Sequence, residues 1–302
     1  MPVTSTFPPL QYARFHFEVM VNAKLKLPGY AGSMLRGAFG YAFRRLSCMT
    51  RQKTCNNCPL ISTCPYPLVF ENSKGPMDTN LYAIEPPAPG ARLLEEGGSF
   101  NFAMVLFNEA LHQLPLILLA WQHALESGLG KDHIPAKLVA VYREGIAEPI
   151  YRPGEPIGQI QMQPQVVPAS PNEVILDFKT PVCLKQYGRY VRKTTFTPYP
   201  LVMALARRLS MLGNGHGHAS IDAIDFKRVA ANALSLEWSE DFHWCEWERY
   251  SNRQQQTMPL GGLLGQLSLK GDLDQLWPML YVGQWTHLGR HASFGLGHYQ
   301  IS

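Results

Sequence analysis

Alternation of apolar and polar positions opens the chain. Between Tyr12 and Leu27, Phe15, Phe17, Val19 and Val21 are separated by His16, Glu18 and Met20, the period of a half-buried strand. Pro28 and Gly29 end that stretch and the period changes. Leu35, Ala38, Phe39, Ala42 and Leu46 recur at helical spacing, with Ser33 as the expected N-cap. Strands are then expected at Leu81–Glu85 and Ser99–Phe107, an almost uniformly apolar helix at His112–Ser127 stopped by Gly128, and a strand at Ala136–Tyr142. Strand, helix, strand, strand, helix, strand is the split βαβ order of a ferredoxin-like domain.

The order then repeats. Pro149, Pro153, Pro156, Pro164, Pro168 and Pro171, with Gly154 and Gly158, mark a linker carrying one short strand at Ile157–Met162. Beyond it the pattern predicts a strand at Val174–Leu184 and a helix at Pro198–Leu212 stopped by Gly213. Strands at Ala233–Trp238 and Leu263–Leu269, a helix at Leu273–Gln284 and a closing strand at Leu296–Ile301 follow. The expected fold class is α+β: two tandem ferredoxin-like domains at residues 1–148 and 173–302, joined by a linker at 149–172, with antiparallel sheets and helices on one face. No residue-level repeat accompanies this duplication.

Composition narrows the class. Of 302 residues, 46% are hydrophobic and 17% charged, enough to bury a core and too apolar for a disordered chain. A net charge of +4 is a mild lean toward an anionic partner, short of a footprint that would argue nucleic-acid binding alone. The first ten residues hold three prolines and no basic segment, and the apolar run near Leu114–Leu119 is far shorter than the roughly 20 residues of a membrane span. A cytoplasmic protein without a membrane partner is expected.

Four clusters could carry chemistry. The stretch Leu288–Tyr299 contains Gly289, Gly295 and Gly297 beside His287, Arg290 and His291; such a loop either exposes N–H groups to a phosphate or is a tight turn before a strand. The run Lys185–Lys193 holds Lys185, Arg189, Arg192 and Lys193 with Tyr187 and Tyr190 and no acid, so cations could meet phosphates and tyrosines could stack on unpaired bases. Arg36, Arg44 and Arg45, with Arg51 and Lys53, form a second basic group. Cys48, Cys55, Cys58 and Cys64 follow it. Their central Cys-x2-Cys is a zinc knuckle, and four thiolates imply a structural rather than a catalytic ion. Reduced thiols and an iron–sulfur cluster are the alternatives. Gly213–His218 reads as a helix end running into a loop. No Walker loop, hydrolase elbow or zincin motif is present.

Several strings together resemble a known family. Trp247–Gln254, Met258–Gly265 and Gly271, followed by the glycine loop, are similar to the carboxy-terminal domain of the CRISPR repeat-processing endoribonucleases of the RAMP superfamily. Phe178–Pro181 and Ala206–Leu209 fit in order and spacing. Gly32–Gly40 and the cysteine insert resemble one branch of that family. The resemblance implies binding of CRISPR repeat RNA in a positive groove between domains and a single metal-independent cut. In that cut the ribose 2′-hydroxyl attacks the adjacent phosphate, leaving a 2′,3′-cyclic phosphate and a 5′-hydroxyl. No cofactor is needed for it, and DNA would be bound but not cut. Arg249 and Arg253 join the expected RNA contacts. Many members place a histidine on or after the first helix, whereas Pro28–Ser47 contains none. Tyr41, His16, His287 and His291 are therefore the candidates for the catalytic group. A non-catalytic subunit that holds guide RNA among other CRISPR effector subunits, and a zinc-stabilised protein-interaction scaffold, are the competing functions.

Overall fold

The computed structural model describes residues 10–71, 80–158, 166–214, 224–251 and 256–302. They form two compact units, Gln11–Gln163 and Pro164–Ser302.

The first unit runs β1 (Tyr12–Val21), β2 (Leu25–Leu27), α1 (Gly32–Ser47), α2 (Pro65–Val69), β3 (Tyr82–Glu85), β4 (Arg92–Leu94) and β5 (Ser99–Phe107). It continues through α3 (Glu109–His112), α4 (Leu114–Glu126), β6 (Ala136–Arg143) and β7 (Pro149–Tyr151). The main sheet has the order β3-β5-β1-β6-β7, while β2 and β4 pair separately. β1 is central: it runs antiparallel to β5 from Tyr12↔Phe107 to Met20↔Ser99, and to β6 with a bulge between Glu18 and Val19. Its alternation is the cause, since Phe15, Phe17, Val19 and Val21 are buried and His16 is exposed. One aromatic cluster joins sheet to helices. The ring of Trp121 on α4 lies 4.5 Å from Phe102, 5.7 Å from Phe17 and 5.0 Å from Phe39 on α1, and its Nε1 donates to Met104 Sδ at 3.2 Å. Truncating a fully buried ring such as Phe39 costs about 3–5 kcal/mol.

The second unit runs β8 (Glu173–Phe178), β9 (Lys185–Gln186), β10 (Arg189–Tyr190), α5 (Pro198–Asn214) and α6 (Phe226–Ser235). β11 (Glu237–Ser251), β12 (Gln256–Lys270), α7 (Trp277–Thr286) and β13 (Tyr299–Ile301) complete it. Its sheet is β11-β12-β8-β13, with β9 and β10 as a separate ribbon. Counting only the four strands of each βαββαβ set, both sheets have the spatial order 2-3-1-4, the ferredoxin-like arrangement. The fold is α+β with two tandem ferredoxin-like units.

Several boundaries differ from the sequence pattern. α1 begins at Gly32, with Ala31 at the N-cap and no side-chain cap, so Ser33 lies inside the first turn. The helix expected at 112–127 is two pieces that meet at Gln113, because Pro115 has no N–H and fits only a first turn. Pro149–Tyr151, inside the expected linker, pairs with β6 as a fifth strand. Residues 157–158 belong to no element, and the rest of the expected Ile157–Met162 strand lies outside the described residues. Ala233 sits in a helix instead of a strand: Asp225 caps α6 by accepting the amides of Lys227 and Arg228 at 3.0 Å. β11 and β12 form one hairpin ladder from Glu237↔Lys270 to Ser251↔Gln256, much longer than the two short strands expected. Gly213 is inside α5, and β13 begins only at Tyr299. Among the described residues no helix is long and apolar enough to cross a membrane.

Candidate nucleic-acid interface

In the second unit the glycine-rich loop is folded against the segment between β8 and β9. Arg290 donates its amide to Cys183 O at 2.9 Å, and Gly297 donates to Pro181 O at 3.0 Å. Thr180 closes the arrangement, its buried hydroxyl donating to Gly295 O at 2.7 Å and accepting the His298 amide at 2.9 Å. The glycines serve this packing. A Cβ on Gly297, at φ +69°, would lie 1.8 Å from Leu288 O, and one on Gly289, at φ +81°, 2.6 Å from Cys183 O. Gly295 caps a short 3-10 turn at φ +95°. The amides of Phe294, Gly295 and Leu296 also end on carbonyls within the loop. The loop is thus a folded corner, with most of its amides consumed internally, and its outward chemistry comes from side chains.

Those side chains are cationic. Lys185, Arg189 and Arg290 are exposed. Burial raises the Cys183 thiol pKa, while Arg290, Lys185 and Arg192 oppose that shift; the Arg290 amide bonds to Cys183 two residues before Lys185, at the foot of the ribbon. Lys185 Nζ stands 4.5 Å over the Tyr190 ring. The other two basic residues of the run have partners in the fold. Arg192 stacks its guanidinium 3.4 Å over Trp244, and Lys193 faces Glu240 at 3.5 Å. Such a cation–π contact is worth about 0.5–1 kcal/mol at an exposed site. Arg249 lies on β11, with a side chain outside the described set, and Arg253 lies outside the described residues.

The histidines occupy three environments. His287 is fully buried, in the left-handed region at the C-cap of α7, its ring stacked on His298 at 4.9 Å. His291 is half-buried at φ +65° and meets the edge of Phe294 at 5.9 Å. His16 is exposed on β1 of the other unit. Tyr41 is 65% exposed on α1, where Arg45 lies 5.9 Å over its ring. Arg36 and Arg44 are held by the fold. The first stacks 4.4 Å over Phe70, and the second donates to the carbonyls of Gln52 and, at 2.9 Å, Lys53, with Tyr66 beneath it. Each unit therefore presents its own short set of free cations, with Arg45 the exposed one on α1. The structural roles of Thr180 and Trp244 were hidden in the sequence: nothing in a Lys-Thr-Pro run or a tryptophan between polar residues announces a partner about fifty residues away or more.

The four cysteines line one cavity of about 100 Å³ between α1 and α2. Cys48 caps the end of α1 and Cys64 the start of α2, and the Cys58 amide closes the knuckle on Cys55 O at 3.1 Å. Burial, then Glu71, pushes the Cys55 thiol up to about 11, and burial raises Cys64. The set matches zinc in number and softness. Thr50 Oγ1 stands between Cys58 Sγ at 3.4 Å and Cys48 Sγ at 4.0 Å. Among the described residues no three of these sulfurs gather within 4.8 Å, so closing on an ion requires the thiols to move together.

Two ferredoxin-like units stand in tandem, the second ending in a glycine-rich corner beside a basic ribbon. Residues 176–299 match the family of CRISPR-associated endoribonuclease Cas6, and residues 10–165 match a family described as an N-terminal domain. The Cas6 family model thus covers the second unit, while the family model that spans half of the chain is that of the N-terminal domain. The chain's fold is similar to that of a Cas6 (TTHB231) product complex from Thermus thermophilus, with 17% identity, TM-score 0.57, and coverage of 96% of this chain and 99% of that one. A second Cas6 (TTHA0078) product complex matches at 17% identity and TM-score 0.53, over 97% and 100% of the two chains. A partial Cas6-RT-Cas1–Cas2 complex matches the whole of this chain at 17% identity and TM-score 0.56, but the match spans only 47% of that chain. No curated protein matches the sequence.

Proposed function

We propose that the protein binds CRISPR repeat RNA and cuts it once, without a metal in the chemistry. The reading rests on the match of residues 176–299 to the Cas6 family and on one observation: exposed Lys185 and Arg189 of the ribbon and exposed Arg290 of the corner lie in that same unit, the corner bonded to Cys183 beside the ribbon. In the cut, the ribose O2′ forms a bond to the adjacent phosphorus and the P–O5′ bond breaks. A base takes the 2′ proton, an acid protonates O5′, and a cation stabilises the phosphorane. The 2′,3′-cyclic phosphate and 5′-hydroxyl ends follow from that balance. Tyr41, exposed beside Arg45, and half-buried His291 are the accessible candidates for proton transfer. His16 is exposed on the sheet of the first unit, and His287 would need to leave its buried stack. The partners are repeat RNA and processed guide RNA, with other CRISPR subunits as assembly partners.

A zinc ion held by Cys48, Cys55, Cys58 and Cys64 completes the proposal, in a purely structural role. When bound it would cross-link the ends of α1 and α2, around a segment in which Cys55 alone of residues 49–64 is buried.

The deciding experiment incubates the pure protein with its repeat RNA in EDTA, beside RNA carrying a 2′-deoxy substitution at the cut. One cut with a cyclic-phosphate end, lost in the deoxy substrate, supports the enzyme. Tight binding without a cut supports the second reading, a guide-holding subunit. The absence of histidine from Pro28–Ser47 and the burial of His287 favour that alternative.

A further inference from the structure

We infer that Tyr187 is a stacking platform for one unpaired nucleobase of the bound RNA; this rests on the RNA-binding reading above. β9 and β10 pair as Gln186↔Arg189 and Lys185↔Tyr190, which leaves Tyr187 and Gly188 as a two-residue turn. Both have positive φ, +49° and +78°. A two-residue hairpin turn with both residues in that region selects Asn-Gly, Asp-Gly or Gly-Gly, because a side chain there crowds the backbone. Gly188 meets the requirement. Tyr187 does not, and a bulky residue at positive φ is a strained choice.

The fold receives nothing in return. Tyr187 is 94% exposed, so its ring packs on no part of the protein. A residue that strains its own turn and buries no surface is explained by something outside the chain. What it offers is a flat aromatic face at the tip of a ribbon. Its surroundings select the ligand. Exposed Arg189 follows the turn, and Lys185 sits with Arg290 around the base of the ribbon. Tyr190 already carries the Lys185 ammonium at 4.5 Å, whereas Tyr187 leads with its ring. An open π-face among cations fits a ligand that is both anionic and aromatic, which is a nucleotide. The base must be unpaired, since a base inside a duplex already has both faces stacked.

The test compares the full chain with Tyr187→Asn and Tyr187→Phe. Asn suits the turn, so Tyr187→Asn is expected to melt at or slightly above the wild-type temperature while losing roughly ten-fold in repeat-RNA affinity. Tyr187→Phe keeps the affinity. The salt dependence of binding stays the same in both, because no phosphate contact is removed. In a scan of abasic substitutions along the RNA, one position weakens wild-type binding and has no effect on Tyr187→Asn. Equal RNA affinity in Tyr187→Asn and wild type overturns the inference, as does a lowered melting temperature or a Phe variant as weak as Asn. A wild-type protein that binds no RNA overturns the underlying reading instead, and the two failures are told apart by that first titration.

Discussion

The two units share a strand order and differ in where they place their extra residues. The first inserts after its first helix: Cys48–Cys64 and α2 extend α1 before the chain returns to β3. The second inserts before its first helix, as the β9–β10 ribbon between β8 and α5. The units also use their cations differently. Arg36 and Arg44 of the first unit are engaged by Phe70, Tyr66 and backbone carbonyls, whereas Lys185, Arg189 and Arg290 of the second remain exposed. A ferredoxin-like core thus supports a self-bracing insert in one copy and a cation-exposing one in the other. Basic residues counted from sequence overstate the charge left without a partner in the fold.

This contrast can be broken by substitution. The largest effect is expected from reversing Lys185, Arg189 and Arg290 together. If three phosphate contacts are lost, the slope of log affinity against log salt flattens by roughly 2, with binding down at least about a hundred-fold. An unchanged slope in filter binding would remove the ribbon from the interface. Next, Gly297→Ala places a methyl group onto Leu288 O at positive φ and should destabilise by about 1–3 kcal/mol, read by urea unfolding. Comparable stability would show that the corner yields. The double variant Cys55→Ser/Cys58→Ser should release about one equivalent of zinc and lower the melting temperature. Metal-free native protein with unchanged melting would dismiss the ion, and visible absorbance from iron would replace it with a cluster. The smallest effect is expected from Arg192→Ala, whose guanidinium is stacked on Trp244: about 0.5–1 kcal/mol of stability, with RNA affinity within roughly two-fold.

Much of the architecture was legible because it rests on periods. β5 was bounded correctly as a strand candidate set off by proline- and glycine-rich turns, and β1 and α1 were placed within a few residues. Elements set by single residues were not. α6 has a weakly apolar face of alanines and one valine, and its real signal was the Asp225 cap. β11 mixes Trp238, Phe242, Trp244 and Trp247 with charges on both faces, and β12 carries Gly261 and Gly262 where a strand pattern expects side chains. Gly261 is required because Trp244 lies across it, a Cβ there falling 2.6 Å from the indole. At the candidate interface, the ribbon and glycine corner were visible as composition. Which cations are free was not, since Trp244 and Glu240 lie far along the chain from Arg192 and Lys193.

The ring of Phe70 has a consequence for how this insert can evolve. It sits over Gly40 of α1, where a Cβ would fall 2.2 Å from its tip. It cannot swing aside easily, being held at 5.3 Å from Tyr66, 5.8 Å from Tyr82 and 4.4 Å from the Arg36 guanidinium. Glycine is a poor helix former, so a chain without the insert would gain from alanine at position 40. With the insert present, that same change is harmful. The two sites are epistatic: alanine at 40 becomes tolerable only after the aromatic at 70 has shrunk. The glycine at 40 and the aromatic at 70 thus form one coupled pair, to be changed together or not at all.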